Sequence, residues 1–176
     1  MGLWHIAGAV FLFRWIFRDP KVDLRFLALG GFVPMLVDGV WAALVSSVAS
    51  GTKLAAHSLL TAVVLMSVIV VLTKRGRERK PWMALSVGVF FHLLLDGMWA
   101  QQESFLWPLF GWGFADPGAG ARSLFLGFLD GWVGWVEEGV GLVYLVVLWR
   151  THGLGNPETR AEFMATGVLG PTATRP

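Results

Sequence analysis

The chain has no cysteine, which excludes disulfides and thiolate metal sites. It has one tyrosine and few charges: 15% of its 176 residues are Asp, Glu, Lys or Arg, against 55% hydrophobic. So small a polar complement argues against a soluble globule. Apolar stretches near 1–17, 26–49, 56–73, 81–100 and 123–149 each approach the roughly 20 residues that a bilayer-crossing helix needs. The expected fold is an all-α integral membrane protein, with about five transmembrane helices in a single polytopic domain over residues 1–150. The first stretch lacks the charged start and small-residue cleavage site of a signal peptide and is read as retained. Residues 151–176, rich in Gly, Pro and Thr, are expected to form a partly disordered cytoplasmic tail.

Fourteen Lys and Arg stand against twelve Asp and Glu, and their positions matter more than the balance. Arg14, Arg18, Lys21 and Arg25 flank the first loop, Lys74, Arg75, Arg77, Arg79 and Lys80 fill another, and Arg150, Arg160 and Arg175 lie at or beyond the last stretch. Only Lys53 and Arg122 fall on the other side. By the positive-inside rule this gives an outside N-terminus and a cytoplasmic C-terminus. The basic residues read as topology determinants, with no nucleic-acid partner expected.

Helix breakers divide the chain further. Gly30, Gly31 and Pro34 predict a kink or break ahead of Asp38. Ser50-Gly51-Thr52 reads as an outer turn. Residues 101–121 hold Pro108, Gly111, Gly113, Pro117, Gly118 and Gly120 around apolar Phe105-Leu106-Trp107 and Leu109-Phe110-Gly111-Trp112, which predicts an interfacial or re-entrant segment. An Asp-Gly-x-Trp device occurs at Asp38-Gly39-Val40-Trp41 and Asp96-Gly97-Met98-Trp99, with a shorter copy at Asp130-Gly131-Trp132. Under the topology above, seven of the ten tryptophans (Trp4, Trp41, Trp99, Trp107, Trp112, Trp132 and Trp135) fall in the outer half. That fits an interfacial belt, with or without a role in substrate contact.

The most informative residues are His92 and Asp96 in Phe91-His92-Leu93-Leu94-Leu95-Asp96. Four apart on a helix, they share a face, within a segment where each ionisable group costs roughly 2.5–3.5 kcal/mol to insert into a bilayer. Counting 1.5 Å per residue from the cytoplasmic ends puts His5, Asp38, His57, His92, Asp96, Glu137 and Glu138 at roughly 17 to 26 Å, one layer of the outer half. Gly127, Gly131, Gly134, Glu138 and Gly141 form a small-residue stripe suited to close helix packing, which turns Glu138 inward. Buried acids and imidazoles gathered at one depth must pair, stay protonated or bind a cation.

Histidine with carboxylate is the donor set of zinc and other first-row divalent ions, and a metal there would offset carboxylate repulsion and acidify a bound water. In this reading His57, His92, Asp96 and Asp38 are metal ligands, and Glu138 or Glu137 is the catalytic base or a supporting carboxylate. The plainer readings are helix–helix hydrogen bonds for the histidines and helix capping for the aspartates. His5 then reads as interfacial, His152 as solvated, and Ser58 and Thr61 as bonded to their own helix backbone.

The order Asp38, Ala56-His57-Ser58-Leu59-Leu60, Phe91-His92-Leu93-Leu94-Leu95-Asp96, then Leu106-Trp107-Pro108 resembles the membrane-bound, metal-dependent hydrolases of the YdjM type. Those small bacterial inner-membrane proteins carry a Pro-Asp-x-Asp element, a Thr-His-Ser element, a His-x-x-x-Asp helix and a following Trp-Pro, so the resemblance implies the same membrane here. The likeness covers roughly residues 1–110. It implies metal or catalytic roles for Asp38, His57, His92 and Asp96, with His5 a further candidate. The leading expectation is hydrolysis of a lipid-linked or amphipathic ester or phosphoester near the outer leaflet, with a membrane lipid or lipid-linked molecule as partner. A small proton- or ion-coupled transporter, or a subunit of one, and a non-catalytic membrane scaffold are the alternatives.

Overall fold

A computed structural model describes residues 2–44, 53–112 and 132–170, and all secondary structure among them is helical, with no strand. The helices are α1 (Leu3–Ile16), α2 (Leu24–Gly30), α3 (Val33–Leu44), α4 (Leu59–Leu72), α5 (Arg79–Leu95), α6 (Gln102–Phe105), α7 (Trp132–Thr151) and α8 (Pro157–Thr166), with 3-10 turns at Ala55–His57 and Met98–Ala100.

Two helical stretches are long and apolar enough to cross a membrane, Leu24–Leu44 (α2 and α3 together) and Trp132–Thr151. This is fewer than the five expected. The stretches at 1–17, 56–73 and 81–100 yield helices of 14, 14 and 17 residues, and a 14-residue helix is only about 21 Å long. Local stops account for the shortening. Before α4, His57 closes a 3-10 turn and Ser58 caps the helix, accepting from the Thr61 amide at 3.2 Å. At the end of α5, Gly97 adopts φ +64°, the left-handed conformation that ends helices at low cost in glycine.

The break predicted near Gly31 is present: α2 ends at Gly30 and α3 begins at Val33, with Pro34 in its first turn. The outer turn at 50–52 and residues 113–121 of the expected interfacial segment lie outside the described residues. The rest of that segment consists of α6 and turns, with a cis Trp107–Pro108 bond.

Glycines set the closest packing. A Cβ at Gly30 would lie 2.0 Å from the Leu85 carbonyl oxygen, and one at Gly88 2.3 Å from that of Leu27, so α2 and α5 cross backbone to backbone. At Gly141 a Cβ would lie 2.8 Å from the Leu3 backbone, where α7 meets α1. Gly134 and Gly141 of the predicted stripe are buried, and Gly127 and Gly131 lie outside the described residues. Leu27, Val89, Leu93 and Met98 are among the most deeply buried apolar side chains. The outward faces of α3, α4 and α7 remain apolar and exposed, through Val40, Trp41, Val63, Val71, Trp135, Val143 and Val147 among others.

The segment expected as tail carries α8, capped by Asn156, whose side chain accepts from the Glu158 amide at 2.8 Å. It folds back onto the start of α2. Leu24 N–H donates to the Gly167 carbonyl at 2.8 Å, and Arg25 donates to the Met164 carbonyl. His152, expected to be solvated, is buried: Arg14 donates to its Nε2 at 3.1 Å, and its Nδ1 donates to the Gly170 carbonyl at 2.8 Å.

Candidate metal centre

Each local feature described above delivers one side chain to a common point. The α2–α3 break turns the Gly31 carbonyl toward α5, where it accepts from His92 Nδ1 at 2.7 Å. A carbonyl oxygen only accepts, so His92 carries its proton on Nδ1 and, when neutral, presents a lone pair on Nε2. On α3, one turn past Pro34, buried Asp38 receives the Leu54 amide on Oδ2 at 2.7 Å and the Ala56 amide on Oδ1 at 3.2 Å. It thereby fixes the turn that carries His57, whose Nδ1 lies 2.6 Å from Asp38 Oδ2. That carboxylate sets His57 in the same tautomer, with its lone pair on Nε2.

The two Nε2 atoms face each other at 3.2 Å. Two imidazole lone pairs at that distance repel unless a proton or a metal ion lies between them. Nitrogens bound to a tetrahedral zinc at about 2.0–2.1 Å stand about 3.3 Å apart, so the spacing fits a shared ion. Asp96 closes the group, with Oδ2 3.7 Å from His57 Nε2. One donor atom from each of His57, His92 and Asp96 lies within 4.8 Å of the others, a set that could hold a metal ion.

His5 also belongs to this cluster. It is buried on α1, stacks on His92 at 4.2 Å between ring centroids, and brings Nε2 to 3.7 Å from Asp96 Oδ1. Lys53 supplies the positive charge, with Nζ 2.7 Å from Asp96 Oδ2.

The structure therefore brings His57, His92 and Asp96 together and seats Asp38 behind them. Asp38 was expected as a ligand, but its oxygens are occupied by His57 Nδ1 and two amides on the side away from the converging nitrogens. Of the two candidate bases, Glu138 is engaged at the N-terminus of α1, accepting from Leu3 N at 3.2 Å and Trp4 N at 3.3 Å. There it satisfies amides that α1 leaves unpaired and complements the positive end of the helix. Glu137 has His5, Asp96 and Glu138 as its electrostatic neighbours. Ser58 and Thr61 both donate to the Ala55 carbonyl, at 2.7 and 2.6 Å, in local capping roles.

Sequence reasoning gave His5 too little weight and missed Lys53 as a member. The signal for His5 was its depth, shared with the other histidines. For Lys53 it was its position four residues before His57, as one of only two basic residues, with Arg122, set apart from the other basic clusters.

Away from this site, Asp23 caps α2 and pairs with Arg25 at 2.7 Å. Burial works against its charge, but the Arg25 guanidinium and the backbone amides of Arg25 and Phe26 outweigh it, holding the carboxyl below its ordinary value.

No protein-family model, curated protein or solved structure matches this chain.

Proposed function

We propose that this chain is a multi-pass protein of the bacterial cytoplasmic membrane that uses a divalent ion, zinc as the first candidate, to hydrolyse a lipid-linked or amphipathic ester or phosphoester. The observation that carries the reading is the pair of Nε2 atoms at 3.2 Å, each with its Nδ1 already committed. The resemblance to the YdjM-type hydrolases points the same way through the same histidines. Exposed apolar faces on α3, α4 and α7 support a lipid setting, because water-exposed patches of that extent are uncommon on soluble monomers. The orientation, with the N-terminus outside, rests on the placement of Lys and Arg.

In this reading His57, His92 and Asp96 bind the ion, Asp38 and the Gly31 carbonyl orient the imidazoles, and His5 packs over His92. A divalent ion at such a site polarises a carbonyl or phosphoryl oxygen and makes water more acidic. Glu137 is the candidate base. Water adds its oxygen to carbon or phosphorus, its proton passes to a Glu137 carboxylate oxygen, and the bond to the leaving alcohol breaks. That alcohol oxygen then takes the proton.

The test is elemental mass spectrometry of the detergent-purified protein beside a folded His92→Ala/Asp96→Ala double variant, followed by turnover of lipid esters and phosphates. About one zinc per chain, lost in the variant together with turnover, is the expected result. A protein that binds no divalent ion, yet conducts ions in liposomes, would overturn the reading in favour of a transporter.

A further inference from the structure

The members of the cluster differ in exposure. Side-chain exposure is 7% at His57 and 6% at Asp38, against 23% at Lys53 and 22% at Asp96. Lys53 and Asp96 therefore form the wetter edge of the cluster. Its ammonium lies 2.7 Å from Asp96 Oδ2 and 3.4 Å from the Asp96 backbone oxygen. Oδ2 is also the oxygen 3.7 Å from His57 Nε2. An ion between the histidines and the ammonium of Lys53 thus draw on one carboxylate oxygen.

We infer that Lys53 is a resident counter-ion that yields Asp96 to the metal and then binds an anionic oxygen of the substrate, which makes phosphate-bearing amphiphiles the class this site takes. The inference rests on the metal reading above and adds the substrate's charge to it. A divalent ion on Oδ2 repels an ammonium on the same oxygen. The imidazoles cannot move aside, because each is held at Nδ1. Lys53 can: its stem is flexible and its head lies on the wetter side. A released ammonium beside a bound cation is complementary to a phosphate oxygen. A neutral carboxylic ester offers it no charge to pair with.

The experiment uses the full chain in detergent, as wild type, Lys53→Met, Lys53→Arg and His92→Ala, each checked for folding by circular dichroism. Zinc affinity is read by competition with a chromophoric chelator. Anion binding is read from the ligand-field bands of the cobalt-loaded protein titrated with inorganic phosphate. With the competing charge removed, Lys53→Met should bind zinc about tenfold or more tighter than wild type, and Lys53→Arg should stay near wild type. Phosphate should shift the cobalt bands in wild type and Lys53→Arg, and Lys53→Met should need about tenfold more of it.

Equal or weaker zinc binding by Lys53→Met overturns the counter-ion role, and an undiminished phosphate response overturns the anion role. If wild type and Lys53→Met bind zinc no better than His92→Ala, the metal reading itself falls and this inference with it. Repeating the titration in phosphatidylcholine nanodiscs, with and without phosphatidic acid, separates a lipid phosphate from a free one. A shift produced by phosphatidic acid alone identifies the lipid source, and a shift from inorganic phosphate in either disc identifies the soluble one.

Discussion

Asp38 and His57 are joined at 2.6 Å between Oδ2 and Nδ1, and the same carboxylate takes the amides of Leu54 and Ala56. One buried side chain thus sets both the shape of a turn and the tautomer of the ring it carries. Asp38→Asn keeps the volume but loses the charge and one acceptor oxygen, leaving Nδ1 or an amide poorly paired. Zinc affinity should fall about 10–100-fold with the protein still folded, the usual scale for removing the partner of a ligating histidine. Asp38→Ala leaves buried amides without an acceptor, at about 1–3 kcal/mol for each group, and should also lower the melting temperature. Chelator competition and thermal unfolding, run on both variants, separate the two effects. Unchanged zinc affinity in Asp38→Asn would remove Asp38 from the site.

The neighbours Glu137 and Glu138 should separate in function. Glu138→Ala strips the cap from α1 and loosens its contact with α7, at about 0.5–2 kcal/mol, with metal content retained. Glu137→Gln should leave both stability and metal content near wild type while lowering turnover by about 100-fold or more, the scale of general-base catalysis. Thermal unfolding, elemental analysis and a turnover assay on the two variants check the split. Loss of turnover in a stable Glu138→Gln protein, with Glu137→Gln fully active, would reverse the assignment.

Asp23, at the start of α2, gives a pH dependence of its own. Its carboxyl is held below the ordinary value by Arg25 and the amides it caps. The stability it contributes is therefore fully present above its unfolded value, about pH 3.9, and is lost as the pH falls through the lower folded value. The contact between α8 and the start of α2 should loosen in that acid range, and Asp23→Asn should loosen it at neutral pH. Amide hydrogen exchange at Leu24, which donates to the Gly167 carbonyl, reports the change. Equal protection of Leu24 in wild type and Asp23→Asn at neutral pH would refute it.

Local chemistry made part of this molecule legible. Gly30, Gly31 and Pro34 announced the break before Asp38 because glycine and proline act through their own backbone. The four-residue step from His92 to Asp96 survives because one helical turn joins them, with Asp96 N–H donating to the His92 carbonyl at 2.9 Å. Where a partner comes from elsewhere in the chain, the sequence was silent. The turn at Ala55–His57 is held by Asp38, some 16 to 19 positions away. His5 joins the cluster through a stack on His92 that no periodicity encodes. His152 is buried by Arg14 and by the carbonyl of Gly170, beyond the end of α8. Helix lengths were overread because hydropathy continues through stops such as Ser58 and Gly97, where capping geometry and backbone conformation decide.

Helix α2 is only seven residues long, and both its ends are tied. Its first amide, at Leu24, is bound to the Gly167 carbonyl, and the carbonyl just past its last residue, at Gly31, aims the ring of His92. Between them Gly30 rests against the backbone of α5, with no side chain in between to absorb a displacement. The helix is a strut with fixed joints. Gly167, Leu24, Gly30, Gly31 and His92 thus form one unbroken line of backbone contacts from the end of α8 to the buried histidines.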